Sequence, residues 1–161
     1  MAVTPVSPSA GQLIDKTFWD AQVFQQFTDL YASWTPFTSV WSGATTNPVL
    51  GNGTLDSAYM KIGKTAFVRL RLVFGTTTTV GNGLWGFTFP AAITPAYVQS
   101  LAGFCSNQLG TIRYVLGAYL TAGSGIFRVA NSANSSGVSH NSPLAWANGD
   151  QLVLSGSFEC S

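Results

Sequence analysis

The feature that most constrains this chain is a series of short segments in which apolar and polar residues alternate, separated by glycine-containing turns. The clearest segment is residues 65–74, TAFVRLRLVF, in which every second position is apolar: Ala66, Val68, Leu70, Leu72 and Phe74. Alternation with a period of two places one set of side chains on a single face of a β-strand. Residues 54–62 precede this segment and are joined to it by Gly63-Lys64, so we expect a hairpin.

Similar segments recur along the rest of the chain. Further strands are predicted at 37–42, 84–89, 98–105, 111–121, 125–131 and 150–160, which gives about eight strands in all. Turn signals such as Gly51-Asn52-Gly53 and Gly81-Asn82-Gly83 lie between them. Because no helices alternate with these strands, residues 36–161 are predicted to form a mainly β domain, an antiparallel β-sandwich of the jelly-roll type.

Residues 1–35 have a different pattern. Pro5 and Pro8 disfavour a helix, so residues 1–15 are predicted to be an extended arm. The single predicted helix spans residues 17–32, with Thr17 as its N-cap, and Pro36 stops it. We interpret residues 1–35 as an N-terminal arm and an amphipathic attachment or oligomerisation helix.

The predicted helix has an apolar stripe with the spacing of a short coiled coil. Val23, Phe27, Leu30 and Trp34 are separated by four, three and four residues. Such a stripe packs either onto its own domain or onto other copies of the chain. Its aromatic character and the flexible segment before it favour self-association. These four residues are therefore the predicted oligomerisation or attachment residues.

The charge content points the same way. Only 8% of the residues are charged, whereas soluble domains carry roughly 25%. A net charge of +1 provides no electrostatic basis for binding nucleic acid or an anionic membrane. The apolar runs are too short and too often interrupted for a membrane span, and residues 1–10 lack the features of a secretory signal peptide. A surface with so few charges favours burial against other chains.

Candidate catalytic and metal-binding residues are few. The single histidine, His140, lies in a Ser/Asn-rich stretch and is predicted to be an exposed loop residue. The β domain contains three carboxylates: Asp56; Asp150, which follows Asn148-Gly149 and suits a turn; and Glu159, on the polar side of the last strand. Cys105 and Cys160 fit no metal-site spacing and are predicted to be buried, with a disulfide left open. We therefore predict a non-enzymatic protein with no cofactor and no metal.

Several motifs carry a resemblance to a known class of protein. They are W-T-P at 34–36, T-N-P at 46–48, GNGTL at 51–55, Y-x-K-I-G-K-T at 59–65, the threonine run at 76–79, W-x-F-x-x-P at 85–90 and PLAWANGDQLVLSGSFE at 143–159. Together they resemble a β-sandwich module found repeatedly in structural proteins of tailed bacteriophages, especially those that infect actinobacteria. The segment DKTFWDAQVFQQFTDLYASWTP, residues 15–36, resembles the attachment helices that precede such modules.

The resemblance implies a structural protein on the exterior of a virion, made in the cytoplasm of the host bacterium. It would be a capsid decoration protein, a short head or tail fibre, or a minor tail protein, attached through its N-terminal region. The implied partners are two further copies in a homotrimer and other virion proteins. Five Trp and five Tyr residues keep an alternative open, in which the chain is a tail module that binds a host cell-surface glycan.

Overall fold

Nine strands, with the loops that join them, form the β domain of the structure. The computed structural model describes residues 6–7, 9–11, 13, 15–31, 33–132 and 137–161. In this part of the chain the strands are β1 Thr35–Pro36, β2 Trp41–Gly43, β3 Thr54–Ile62, β4 Thr65–Val73, β5 Trp85–Thr88, β6 Gln99–Ser106, β7 Arg113–Leu120, β8 Ile126–Asn131 and β9 Gln151–Glu159. A short 3-10 helix spans Ala91–Ile93. The mainly β prediction is confirmed, and each predicted segment overlaps a strand. Of the predicted strand 37–42, however, only residues 41–42 are in a strand, and β1 was not predicted.

All nine strands belong to one sheet, in the order β1-β3-β4-β9-β6-β7-β8-β5-β2, and every pairing between them is antiparallel. The predicted hairpin is confirmed, because β3 pairs with β4 along its whole length from Thr54↔Val73 to Ile62↔Thr65. Strand β9, the last in sequence, lies in the middle of the sheet between β4 and β6. Strands that follow each other in the sequence therefore form only some of the pairs in the sheet.

The sheet is strongly curled, and the chain itself shows why. Strands β1 and β2 lie at opposite ends of the strand order, yet only residues 37–40 separate them. In a flat sheet of this size they would be about 38 Å apart, whereas an extended chain from residue 36 to residue 41 spans at most about 17 Å. The link is bonded at both ends: Phe37 N donates to Ser57 O at 3.0 Å, and Thr88 N donates to Val40 O at 3.2 Å.

The curl encloses a single apolar core. The alternating residues of positions 66–74 are all at most 3% exposed, as the period of two predicts. Trp85, Phe87 and Phe89 share one buried face, also as predicted. Aromatic rings meet edge to face, tilted or stacked within the core, and the ring centroids of Trp41 and Trp85 are 4.8 Å apart. Such packing contributes beyond the area that it buries.

The glycine-rich loop at Gly51-Asn52-Gly53 and the threonine run at 76–79 pack on each other. The side-chain oxygen of Asn52 accepts from the backbone N–H of Thr77, and its amide nitrogen donates to the hydroxyl of Thr76, both at 2.9 Å. Thr78 donates its hydroxyl to the carbonyl of Leu50 at 2.6 Å. Gly51 has φ +59 and leaves no space for a side chain against Thr77, so a glycine is required there. These two motifs therefore fix a loop.

The N-terminal helix comprises three consecutive pieces: an α-helical turn at Lys16–Trp19, a π-helical segment at Asp20–Phe24 and an α-helix at Gln25–Leu30. The predicted helix is confirmed, but the predicted N-cap is wrong. Asp15 rather than Thr17 occupies that position, since its backbone is extended and its carboxylate accepts from Phe18 N at 2.9 Å. Lys16 and Asp20 form an ion pair one turn apart.

The predicted arm falls largely outside the described residues. Of residues 1–15, the structure describes 6–7, 9–11, 13 and 15. Its extended conformation, and the division at residue 35, stay predictions.

Two glycines within neighbouring strands provide a test of the packing. A Cβ at Gly103 would overlap the carbonyl oxygen of Val153, whereas a Cβ at Gly117 would meet its nearest neighbour, Leu101 O, at an ordinary 3.7 Å. We expect Gly103→Ala to lower the free energy of unfolding by about 1–3 kcal/mol, because β6 and β9 must move apart. Gly117→Ala should cause no loss, since alanine restricts the unfolded chain.

The measurement is urea-induced unfolding of both variants beside the unaltered protein. Equal midpoints for Gly103→Ala and Gly117→Ala would show that the close approach of β6 and β9 is not as described.

Candidate functional site

The N-terminal helix carries a large exposed apolar surface. Five of its side chains, or of those directly following it, are between 51% and 85% exposed: Trp19, Phe24, Phe27, Leu30 and Tyr31. The second half of the helix approaches β3, but this contact leaves those side chains uncovered. Exposed apolar patches that contain several large side chains usually mark interaction surfaces. We call these five residues the helix surface.

The predicted attachment residues are distributed between this helix and the sheet. Val23 is half-buried, Phe27 and Leu30 are exposed, and Trp34 lies beyond the last helical residue, Leu30. The Arg69 guanidinium lies 4.9 Å from the ring centroid of Trp34, so this tryptophan ties the end of the helix to β4. The structure thus brings three of the four residues onto the helix. Their role in attachment stays a prediction.

A groove of about 640 Å³ lies where β1, β3, β4 and β9 meet. Its lining includes two arginines, one carboxylate, two serines and apolar side chains, among them Arg69, Arg71, Asp56, Ser57, Ser155, Pro36 and Val153. Sequence reasoning missed this groove. The available signal was the pair of arginines on the polar side of the clearest strand, but the partners on β3 and β9 depend on the register of the sheet.

Neighbouring side chains position the two arginines. Nε and Nη2 of Arg71 both donate to Gln151 Oε1, at 3.3 and 3.2 Å, and Gln151 in turn donates to the hydroxyl of Ser106 at 3.2 Å. Arg69 lies against Trp34. Asp56 is the register partner of Arg71 on β3, but the ion pair of the described residues is the one on the N-terminal helix. With two arginines and one carboxylate in its lining, the groove carries a net positive charge.

An apolar row continues from the groove across the outer face of the sheet. Val153 on β9 is paired with Phe104 on β6, and Phe104 is paired with Val115 on β7. Phe104 is 39% exposed and Val115 is 70% exposed. We call these three residues the apolar row. It is unusual because the solvent face of an antiparallel sheet is normally polar.

Two of the candidate catalytic residues, His140 and Asp150, make structural hydrogen bonds. His140 is not the exposed loop residue that the sequence predicts: it is half-buried, and its Nδ1 accepts from Gly83 N at 3.3 Å. Asp150 is 4% exposed, and its carboxylate accepts from Gln108 N at 2.9 Å and Ala147 N at 2.8 Å, which confirms the predicted turn role. Glu159 is exposed on β9, as predicted.

The two cysteines are buried and free, which confirms the prediction of burial and answers the open question of a disulfide. Burial raises the pKa of the Cys105 thiol to about 11, and the negative charge of Asp150 adds to this rise. A neutral thiol is a weak nucleophile at neutral pH.

The described ranges contain neither a cluster of metal ligands nor a membrane-spanning helix. Within them, no three His, Cys, Asp or Glu side chains are grouped closely enough to hold a metal ion. The helices in the same ranges are too short or too polar to cross a bilayer.

The raised pKa of Cys105 predicts a specific pH dependence of stability. The unfolded thiol ionises near its ordinary pKa of 9.0 and the folded thiol near 11, so the stabilisation is complete below about pH 9 and is lost as the pH rises through 11. We expect the unaltered protein to lose more unfolding free energy between pH 8 and pH 11 than Cys105→Ala does. The measurement is urea unfolding at both pH values, and parallel losses in the two proteins would contradict the prediction.

Comparison with known proteins gives no family for this chain. No family model matches it, no curated protein matches it, and no solved structure matches it.

Proposed function

We propose that the chain is a non-enzymatic structural protein of a virion, which assembles as a homotrimer through its N-terminal helix and exposes its β domain. The observation that carries this proposal is the helix surface, five large apolar side chains that their own domain leaves uncovered. The resemblance of residues 15–90 and 143–159 to tailed-phage structural proteins supports the virion setting.

The energetics of the helix favour a partner. An isolated helix of about 15 residues is marginal in water, and this one includes a π-helical segment in which the hydrogen bonding is less regular. Burying one Phe or Leu side chain contributes about 1.5–3 kcal/mol. The contact between Trp34 and Arg69 fixes only the end of the helix, so most of its stabilisation has to come from surfaces that cover Phe27 and Leu30.

Self-association suits the chemistry of these surfaces. Interface cores are enriched in aromatic residues and depleted in charges, and the spacing of Val23, Phe27 and Leu30 is that of a coiled-coil seam. In this proposal the curled sheet is the jelly-roll sandwich of the phage module.

In the virion, the N-terminal region would attach to a capsid or tail protein and the β domain would face outward. The engagement of His140 and Asp150 in structural hydrogen bonds, and the neutral thiol of Cys105, support a role without catalysis.

Native mass spectrometry of the full chain at micromolar concentration tests the assembly. We expect three copies, and we expect Phe27→Ala combined with Leu30→Ala to shift the protein towards the monomer, because each truncation costs about 2–5 kcal/mol per protomer in a packed seam. Leu109→Ala is the control, since Leu109 is an equally large side chain that is 81% exposed on a loop of the β domain.

A strictly monomeric unaltered chain would overturn the proposed assembly through the helix. The virion setting is tested separately by quantifying the chain in purified phage particles. Many copies per particle would indicate capsid decoration and a few would indicate a tail appendage, whereas absence from particles would contradict the proposal.

A further inference from the structure

We propose that the groove between β1, β3, β4 and β9 is a binding site for an acidic saccharide, a chain of sugar units that carry carboxylates. Arg69 and Arg71 would hold a carboxylate, and Phe104 on the apolar row would pack against a neighbouring sugar ring. This inference goes beyond the assembly role and does not depend on it.

Two arginines give the groove its positive charge. Arg69 and Arg71 are two residues apart on one strand, so their side chains emerge on the same face about 7 Å apart. They face a single carboxylate, Asp56, in a chain that has seven basic residues in total. Guanidinium groups match the planar geometry of a carboxylate and bind it through paired hydrogen bonds.

The groove also offers hydrogen-bond partners for the hydroxyl groups of a ligand. Asp56 is an acceptor within a groove that otherwise attracts anions, so it favours a ligand that offers hydroxyl donors as well as a negative charge. Ser155 adds a hydroxyl that both donates and accepts. Pro36 and Val153 provide apolar contacts for the C–H face of a sugar ring. A bare phosphate would use the arginines but has no C–H face for Pro36 and Val153 and no array of hydroxyl donors for Asp56.

Both arginines are already positioned by neighbouring side chains. Two hydrogen bonds to Gln151 hold the Arg71 guanidinium, which leaves its other N–H groups free for a ligand. The Trp34 ring supports Arg69 from one side. Side chains that are already positioned lose little conformational entropy on binding.

The groove is large enough for a ligand and is continuous with the apolar row. A volume of about 640 Å³ lies within the range of roughly 300–1,000 Å³ that is usual for ligand sites. The row Asp56, Arg71, Val153, Phe104 crosses four adjacent strands, which places Phe104 about 10 Å from Arg71. A saccharide longer than one unit therefore reaches from the arginines to an exposed aromatic ring.

Isothermal titration calorimetry on the full chain tests the site, with trigalacturonic acid as the probe. We expect saturable binding that Arg69→Gln combined with Arg71→Gln weakens at least about tenfold. The matched control is Arg113→Gln combined with Arg128→Gln, which removes the same charge from exposed positions on β7 and β8 and should leave binding unchanged.

Three further probes define the ligand class. Maltotriose has no carboxylate and should not bind measurably, inorganic phosphate should bind at least about tenfold more weakly, and Phe104→Ala should weaken trigalacturonic acid but not the single unit galacturonic acid. Equal binding of maltotriose, tight binding of phosphate, or equal losses in the two arginine double variants would overturn the proposal.

Unfolding midpoints of all variants show whether they fold. If the double glutamine variant does not fold, Arg69→Lys combined with Arg71→Lys retains the charge but removes the paired donors, and unchanged binding by that variant would also overturn the proposal. A monomeric chain that binds trigalacturonic acid would contradict the assembly role alone, and a trimer that does not bind it would contradict the groove alone.

Discussion

The short link between β1 and β2 is the constraint on which the rest of the structure depends. Residues 37–40 join two strands that pair with opposite ends of the sheet, so the ends have to lie close to each other. A sheet that curls in this way has one enclosed face and one open face, and the alternation of each strand then assigns its side chains to the core or to the surface. The same link brings Pro36 and the end of the N-terminal helix beside β3 and β4, where the groove lies.

Much of the fold could be predicted from the sequence because strands such as β4, β7 and β8 bury mainly one face. That alternation is local information, and it placed β3 to β9 to within a few residues. The strand order could not be predicted, since β9 pairs with β4 and β6 through contacts that are remote in sequence. The same limit explains why the exposure of His140 was wrongly predicted. Its polar neighbours in the sequence suggested exposure, but it accepts a hydrogen bond from the N–H of Gly83, which is far away along the chain.

The candidate sites differ in how far local patterns reveal them. The helix surface can be predicted from the apolar spacing of one segment. The π-helical segment and the Asp15 cap, however, were not predicted from the sequence and are visible only in the structure. The groove is a product of register, because Asp56, Arg71 and Val153 come from three strands and meet only when the sheet is paired. Conversely, the glycine-rich loop and the threonine run stand out in the sequence, but their hydrogen bonds are to each other. Prominent motifs in this chain specify turns.

The central position of β9 has a consequence for biosynthesis. Until residues 151–159 have left the ribosome, β4 and β6 have no common neighbour, and the two parts of the sheet cannot be joined. During that interval both strands present unpaired backbone groups beside apolar side chains, which is the arrangement that favours aggregation between nascent chains. Late arrival of the central strand also makes folding slow, because its partners are far away in sequence. A chain built in this way needs protection during synthesis more than it needs it afterwards.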